Sequence, residues 1–189
     1  MHSALTARSR PLTGFTMIEM MVVMLVAAIL ITLAAPAFND FVATQRVRTT
    51  ASDIMADFAL ARAQAIESSR RVYFERTGTT WTDGWRIYVD RNDNAAYDVG
   101  EEIKIVNGLS GNIRVCTNVD DFASDIIFRP DGRVVRTGVP TTNDGVFVID
   151  DMGDTDLSNN KIRGILFGLS GRATVVDFNP NHQAVPLPC

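Results

Sequence analysis

From Met20 to Asn39 the chain runs for 20 residues without a charge, mostly Met, Val, Leu, Ile and Ala. A helix needs roughly 20 predominantly apolar residues to cross a bilayer, so this run commits its part of the chain to a membrane or to an equally apolar setting. Immediately before it stands a carboxylate, Glu19. Translocon scales put Asp, Lys or Arg at the bilayer centre at roughly +2.5 to +3.5 kcal/mol. Burying a carboxylate is similarly unfavourable, so Glu19 needs a reason or a partner.

The N-terminus permits three readings. As a plain signal anchor, the basic residues Arg8 and Arg10 stay cytoplasmic and the rest of the chain faces outward. As an ordinary secretory signal, cleavage follows the small-residue pattern Ala35-Pro36-Ala37. The third reading cuts on the near side of the apolar run, between Gly14 and Phe15. That cut creates an α-amino group four residues from Glu19, with an ordinary pKa of roughly 7.7 to 8. Of the three readings, this one supplies a positive partner for Glu19.

The stretch "GFTMIEMMVVMLVAAIL" resembles the processing site of type IV prepilins and type II secretion pseudopilins. That family places Gly before the cut, an N-methylated Phe after it and Glu fifth in the mature chain, matching Gly14, Phe15 and Glu19. It also places a helix-kinking proline where Pro36 falls, residue 22 of the mature chain (36 − 14). The resemblance implies a leader, residues 1–14, removed by a prepilin peptidase, and a transmembrane and filament-core helix over 15–38. It further implies a single-pass protein of the bacterial inner membrane with its body periplasmic, which enters a pilus or pseudopilus.

Beyond that span, apolar residues recur at Val47, Ala51, Ile54, Phe58, Ala61 and Ala65, in alternating steps of four and three. This is one face of a helix, and Arg46, Arg48, Asp53, Asp57 and Arg62 are expected off it. Residues 39–71 thus continue the first helix as an amphipathic segment, and Pro36 is expected to bend it by removing a hydrogen bond. From residue 72 to 189 the period changes to two. Nine short stretches, from "RVYFER" to "ATVVDF", are separated by turn signals such as "PDG" and "NDG". The expected fold is α+β and type IV pilin-like: a long kinked N-terminal helix packed on an antiparallel β-sheet body.

Within the body, "WTDGWRIYVDRNDNAAYDVGEEI", "DIIFRPDGR" and "GILFGLSGRATV" resemble, in that order, FimT-like minor pilins and the type II secretion minor pseudopilin H. Trp81 and Trp85 are expected as core or sheet-face aromatics. The resemblance implies a minor subunit near the tip of a type II secretion pseudopilus or a type IV pilus. It would support protein secretion or pilus biogenesis, with other minor and major pilins or pseudopilins as partners. The alternative is a minor pilin that binds DNA for natural transformation. FimT-like proteins of that kind carry Gly-Arg-x-Arg; here Gly171 and Arg172 match, while Thr174 replaces the second Arg. Charge also weighs against a polyanion. Without the leader's two arginines, 16 basic residues (18 − 2) face 22 acidic ones, a net of −6.

The acidic turn aligns Asp90, Asn92, Asn94, Asp98 and Glu101 with positions 1, 3, 5, 9 and 12 of an EF-hand-type calcium loop. Ala95 stands where that loop wants Gly, the flanks read as strands, and Asp/Asn-rich hairpin loops form for turn reasons alone. The expectation is therefore no cofactor, with calcium as the alternative. Cys116 and Cys189 are the two thiols of a body expected outside the cytoplasm and are expected to be bridged, with two unpaired thiols as the alternative. The histidines are His2, in the leader, and His182, in a Pro-rich tail. They supply neither a catalytic triad nor a zinc spacing, and no enzymatic activity is expected.

Overall fold

The helix α1 (Met17–Ser68) is 52 residues long and has Pro36 in its interior. It is part of a computed structural model that describes residues 14–117, 124–135, 144–151, 162–168 and 170–177. The chain divides into two compact units between Phe41 and Val42. Up to Phe41 the helix is long and apolar enough to cross a membrane, and its large apolar side chains from Phe15 to Phe41 are exposed. The helix continues through Pro36, although proline removes the amide that would bond the Thr32 carbonyl.

In the second unit α1 buries Val47, Ala51, Ile54, Phe58, Ala61 and Ala65, the stripe expected from its period. It also buries Asp57, which corrects the expectation that this residue lies off the stripe. Asp57 is three residues after Ile54 and four before Ala61, so the helical period turns it inward whatever its polarity. The Trp85 indole donates to Asp57 Oδ2 at 2.8 Å and the Lys104 ammonium to Oδ1 at 2.5 Å, so the buried carboxylate is satisfied.

Nine strands follow among the described residues: β1 (Val72–Arg76), β2 (Gly84–Val89), β3 (Glu102–Asn107), β4 (Ile113–Thr117), β5 (Asp125–Phe128), β6 (Val134–Val135), β7 (Asp144–Asp151), β8 (Ile162–Gly168) and β9 (Ala173–Asp177). Each corresponds to one of the nine alternating stretches. They form two antiparallel sheets rather than one, with orders β3-β2-β1-β5-β6 and β4-β7-β8-β9. The core lies between α1 and these strands. Phe58 meets Phe74 at 4.7 Å between ring centroids, and Phe74 in turn meets Trp81 at 5.4 Å and Trp85 at 5.8 Å. Both tryptophans are buried, as expected for core aromatics.

The opposite face of the larger sheet carries a second aromatic set. Tyr73 and Tyr88 stack at 5.0 Å, and Tyr97 from the β2–β3 loop meets Tyr88 edge-on at 5.4 Å. The Arg86 guanidinium lies 4.3 Å from the Tyr97 ring centroid and pairs with Glu75 at 2.6 Å. Burial pushes the Tyr88 hydroxyl well above the ordinary tyrosine range.

Candidate functional site

At the start of α1 the expected processing residues are open to solvent. A Cβ added at Gly14 would meet nothing within 4 Å, and Phe15 is 79% exposed. Thr16 and Glu19 bond each other reciprocally. The Thr16 N–H donates to Glu19 Oε2 at 3.4 Å, and the Glu19 N–H donates to Thr16 Oγ1 at 3.2 Å. This is a capping box of the form Thr-x-x-Glu, which satisfies two amides that the first turn of a helix leaves without partners. A carboxylate in the first turn also faces the positive end of the helix dipole. Glu19 therefore has a local hydrogen-bond partner in the first turn, apart from any positive partner that cleavage would create. Both groups of the box lie after the expected cut, so the cap is available before and after it.

The acidic turn is the β2–β3 loop, residues 90–101. Asp90 and Glu101 are buried at its two ends. Asp90 accepts the Asn94 N–H at 3.1 Å and the Ala95 N–H at 3.0 Å. Glu101 accepts the Arg91 N–H at 2.7 Å and the Asp98 N–H at 3.3 Å. The Asn92 and Asn94 amides both donate to Asp98 Oδ2 at 2.8 Å. Asp93 and Ala95 adopt positive φ, 57° and 59°, within this bonded loop. Next to it, the Glu102 carboxyl is held below its ordinary range by the backbone N–H groups of Glu102 itself and Gly100. Among the described residues no three His, Cys, Asp or Glu side chains converge on a point that a metal ion could occupy. The candidate calcium ligands act here as acceptors for the loop's own amides, with Asp90 and Glu101 as its two clamps.

Gly171 and Arg172 separate into a structural and an exposed residue. The β5–β6 and β8–β9 hairpins close with the same turn. The Gly132 N–H donates to the Arg129 carbonyl at 2.8 Å, and the Gly171 N–H to the Gly168 carbonyl at 2.9 Å. Both glycines are left-handed, at φ 75° and 70°, a region that glycine enters without a Cβ clash. The two turns also touch. A Cβ on Gly171 would lie 2.1 Å from the Gly132 carbonyl oxygen, which accepts Arg62 Nε at 3.0 Å. Gly171 is thus needed for packing, while Arg172 and Thr174 stand exposed.

Cys116 is buried on β4. Its expected partner Cys189 lies outside the described residues, as does His182.

The family described as Type II transport protein GspH matches residues 50–180. No curated relative matches the sequence significantly. Two crystal forms of the type IV minor pilin FimU of Pseudomonas aeruginosa (strain PAO1) share the fold. One has a TM-score of 0.54 at 19% identity, covering 70% of this chain and 89% of that one. The other has a TM-score of 0.51 at 20% identity, covering 68% and 91%. The minor pseudopilin EpsH of the Vibrio cholerae type 2 secretion system aligns with a TM-score of 0.50 at 11% identity, covering 70% and 97%. The fold is shared with FimU and EpsH, and with the family model matching 131 residues (180 − 50 + 1) of a 189-residue chain, this chain belongs to the family described as Type II transport protein GspH.

Proposed function

We propose that this protein is a filament subunit stored in the bacterial inner membrane and assembled near the tip of a type II secretion pseudopilus or a type IV pilus. The observation that carries this proposal is the N-terminal part of α1. It is a capped helix with its large apolar side chains exposed, directly behind a Gly-Phe junction. Such a surface is stable in lipid or among other apolar helices, and exposed apolar patches of this size mark an interaction site. Family membership supplies the kind of neighbour: other pilin-type subunits. The role is structural, and no catalytic activity is assigned.

DNA uptake is the weaker reading. Gly171 is accounted for by packing against Gly132, and one exposed cation at Arg172 contributes about one phosphate contact. The proposal is tested by the N-terminus of the protein recovered from the membrane fraction. N-methylated Phe15 is expected. A chain beginning at Phe38 would mean an ordinary secretory signal, and the filament role would be lost.

A further inference from the structure

Where α1 ends, the body has a cleft that borders the acidic loop at Asp93 and does not include Arg172. It encloses about 990 Å³ and is lined by Arg70 and Arg71 after the helix, Arg129 and Pro130 on the β5–β6 turn, Val135 on β6, and Asp93 of the β2–β3 loop. Three arginines and one aspartate line it, with Asp131 beside Arg129, on a body whose overall charge is negative. Arg70 and Arg129 are only loosely committed, whereas Arg71 hydrogen-bonds the Tyr73 side chain. Arg70 stands 3.6 Å from Asp93, both well exposed, and Arg129 stands 3.9 Å from Asp131, also exposed. Exposed pairs at these distances are weak and exchange readily for a better acceptor. Arg70 is also held in place by donating to the Arg91 carbonyl at 2.6 Å.

We infer that this cleft is a docking site for an acidic peptide segment of a neighbouring subunit, whose carboxylates bind Arg70, Arg71 and Arg129. The inference rests on the filament role proposed above and names a surface and a partner chemistry for it. Arginine recognises carboxylates through parallel N–H donors, which gives geometry as well as attraction. The walls favour a peptide over a nucleic acid on two grounds. Pro130 and Val135 give the cleft an apolar side suited to aliphatic side chains between carboxylates. A duplex, in contrast, gains affinity from a long row of phosphate contacts, whereas these cations surround one concavity on an acidic body. A short acidic segment meets the local charge without bringing a long polyanion against the rest of the surface.

The test uses the full chain, processed and solubilised in detergent, titrated with a fluorescent hexaglutamate peptide and, separately, with a fluorescent DNA duplex. Arg70→Gln combined with Arg129→Gln should weaken peptide binding by about tenfold, the size expected for losing two solvent-exposed ion pairs. Both positions are exposed, so the variant's melting temperature should match that of the parent. Arg48→Gln, on the helix surface away from the cleft, should bind the peptide as the parent does. Equal peptide binding by parent and cleft variant would overturn the inference, as would an equal loss in Arg48→Gln. Tight duplex binding lost only in the cleft variant would assign the cleft to nucleic acid instead. In each of these cases a parent protein that begins at N-methylated Phe15 and co-purifies with pilin-type subunits leaves the filament role standing. A parent lacking both would remove that role whatever the peptide does.

Discussion

The two parts of α1 belong to one helix and differ in almost everything else. Up to Phe41 its apolar side chains cover the surface and lie exposed; from Val47 to Ala65 they form a stripe that is buried under its own body. A helix that is apolar all round needs apolar surroundings on every side, whereas an amphipathic one needs a single partner. The second part finds that partner within the chain. The large apolar side chains of the first are exposed among the described residues, and under the proposed filament role lipid or other subunits cover them.

The sharpest way to break this comparison is to truncate one large side chain in each part. Phe58→Ala removes a ring packed on Phe74 and Phe128 and should cost about 3 to 5 kcal/mol in denaturant unfolding of the body. Ile29→Ala, in the exposed part, should leave that unfolding curve unchanged. Equal losses at the two sites would mean that the first part is also held by the body.

Asp57 sharpens the comparison, because it is the one charged residue inside the buried stripe. Asp57→Ala leaves the Trp85 N–H buried without an acceptor and releases Lys104, for a loss of about 2 kcal/mol by thermal or chemical unfolding. Lys104 is partly exposed, which limits its share. Asp53→Ala, four residues earlier and exposed, should fall within about 0.5 kcal/mol of the parent.

How legible these features are in the sequence depends on the distance over which they are decided. The stripe of α1 and the nine strands follow from local period, and the structure places them where the period does. Asp57 is not legible, because its partners stand 28 and 47 residues away and nothing local distinguishes an inward Asp from a solvated one. The division of the strands into two sheets is equally hidden, because pairing is set by long-range packing; β1 takes β5 as a neighbour across the intervening β2, β3 and β4. The capping box is legible, since Thr16-Met17-Ile18-Glu19 is its signature. Weighing the carboxylate only as a membrane charge hides it. The use of Gly171 as a packing residue depends on the Gly132 turn and Arg62, which meet it only in the folded body.

Gly171→Ala is the next expected effect in size. It forces a Cβ against the Gly132 carbonyl at a left-handed backbone position, and should cost about 1 to 3 kcal/mol in the same unfolding measurement. A neutral result would show that the turn relaxes and would make Gly171 a functional candidate again. Calcium should have the smallest effect. The carboxylates of the β2–β3 loop already accept its own backbone amides, so millimolar calcium should leave the melting temperature unchanged. An ion at 100 times its dissociation constant stabilises by about 2.7 kcal/mol, so a clear upward shift abolished by Asp90→Ala would establish a site there.

The most direct test of the central claim, that the first part of α1 is completed by other subunits, is recruitment of Glu19 variants. Glutamine at the third helical position still closes a capping box, whereas valine does not. Neither carries the negative charge needed for an ion pair with the α-amino group that cleavage would create at Phe15. In an apolar filament core, a carboxylate without that partner, or an amine without the carboxylate, costs several kcal/mol. Co-purification of each variant with the other minor subunits, read alongside its N-terminal sequence, separates the cap from the charge. Glu19→Gln and Glu19→Val should both be inserted and cleaved after Gly14, and both should be recruited poorly. Normal recruitment of cleaved Glu19→Gln, with only Glu19→Val failing, would show that Glu19 acts as a helix cap and would contradict the charge pairing between subunits.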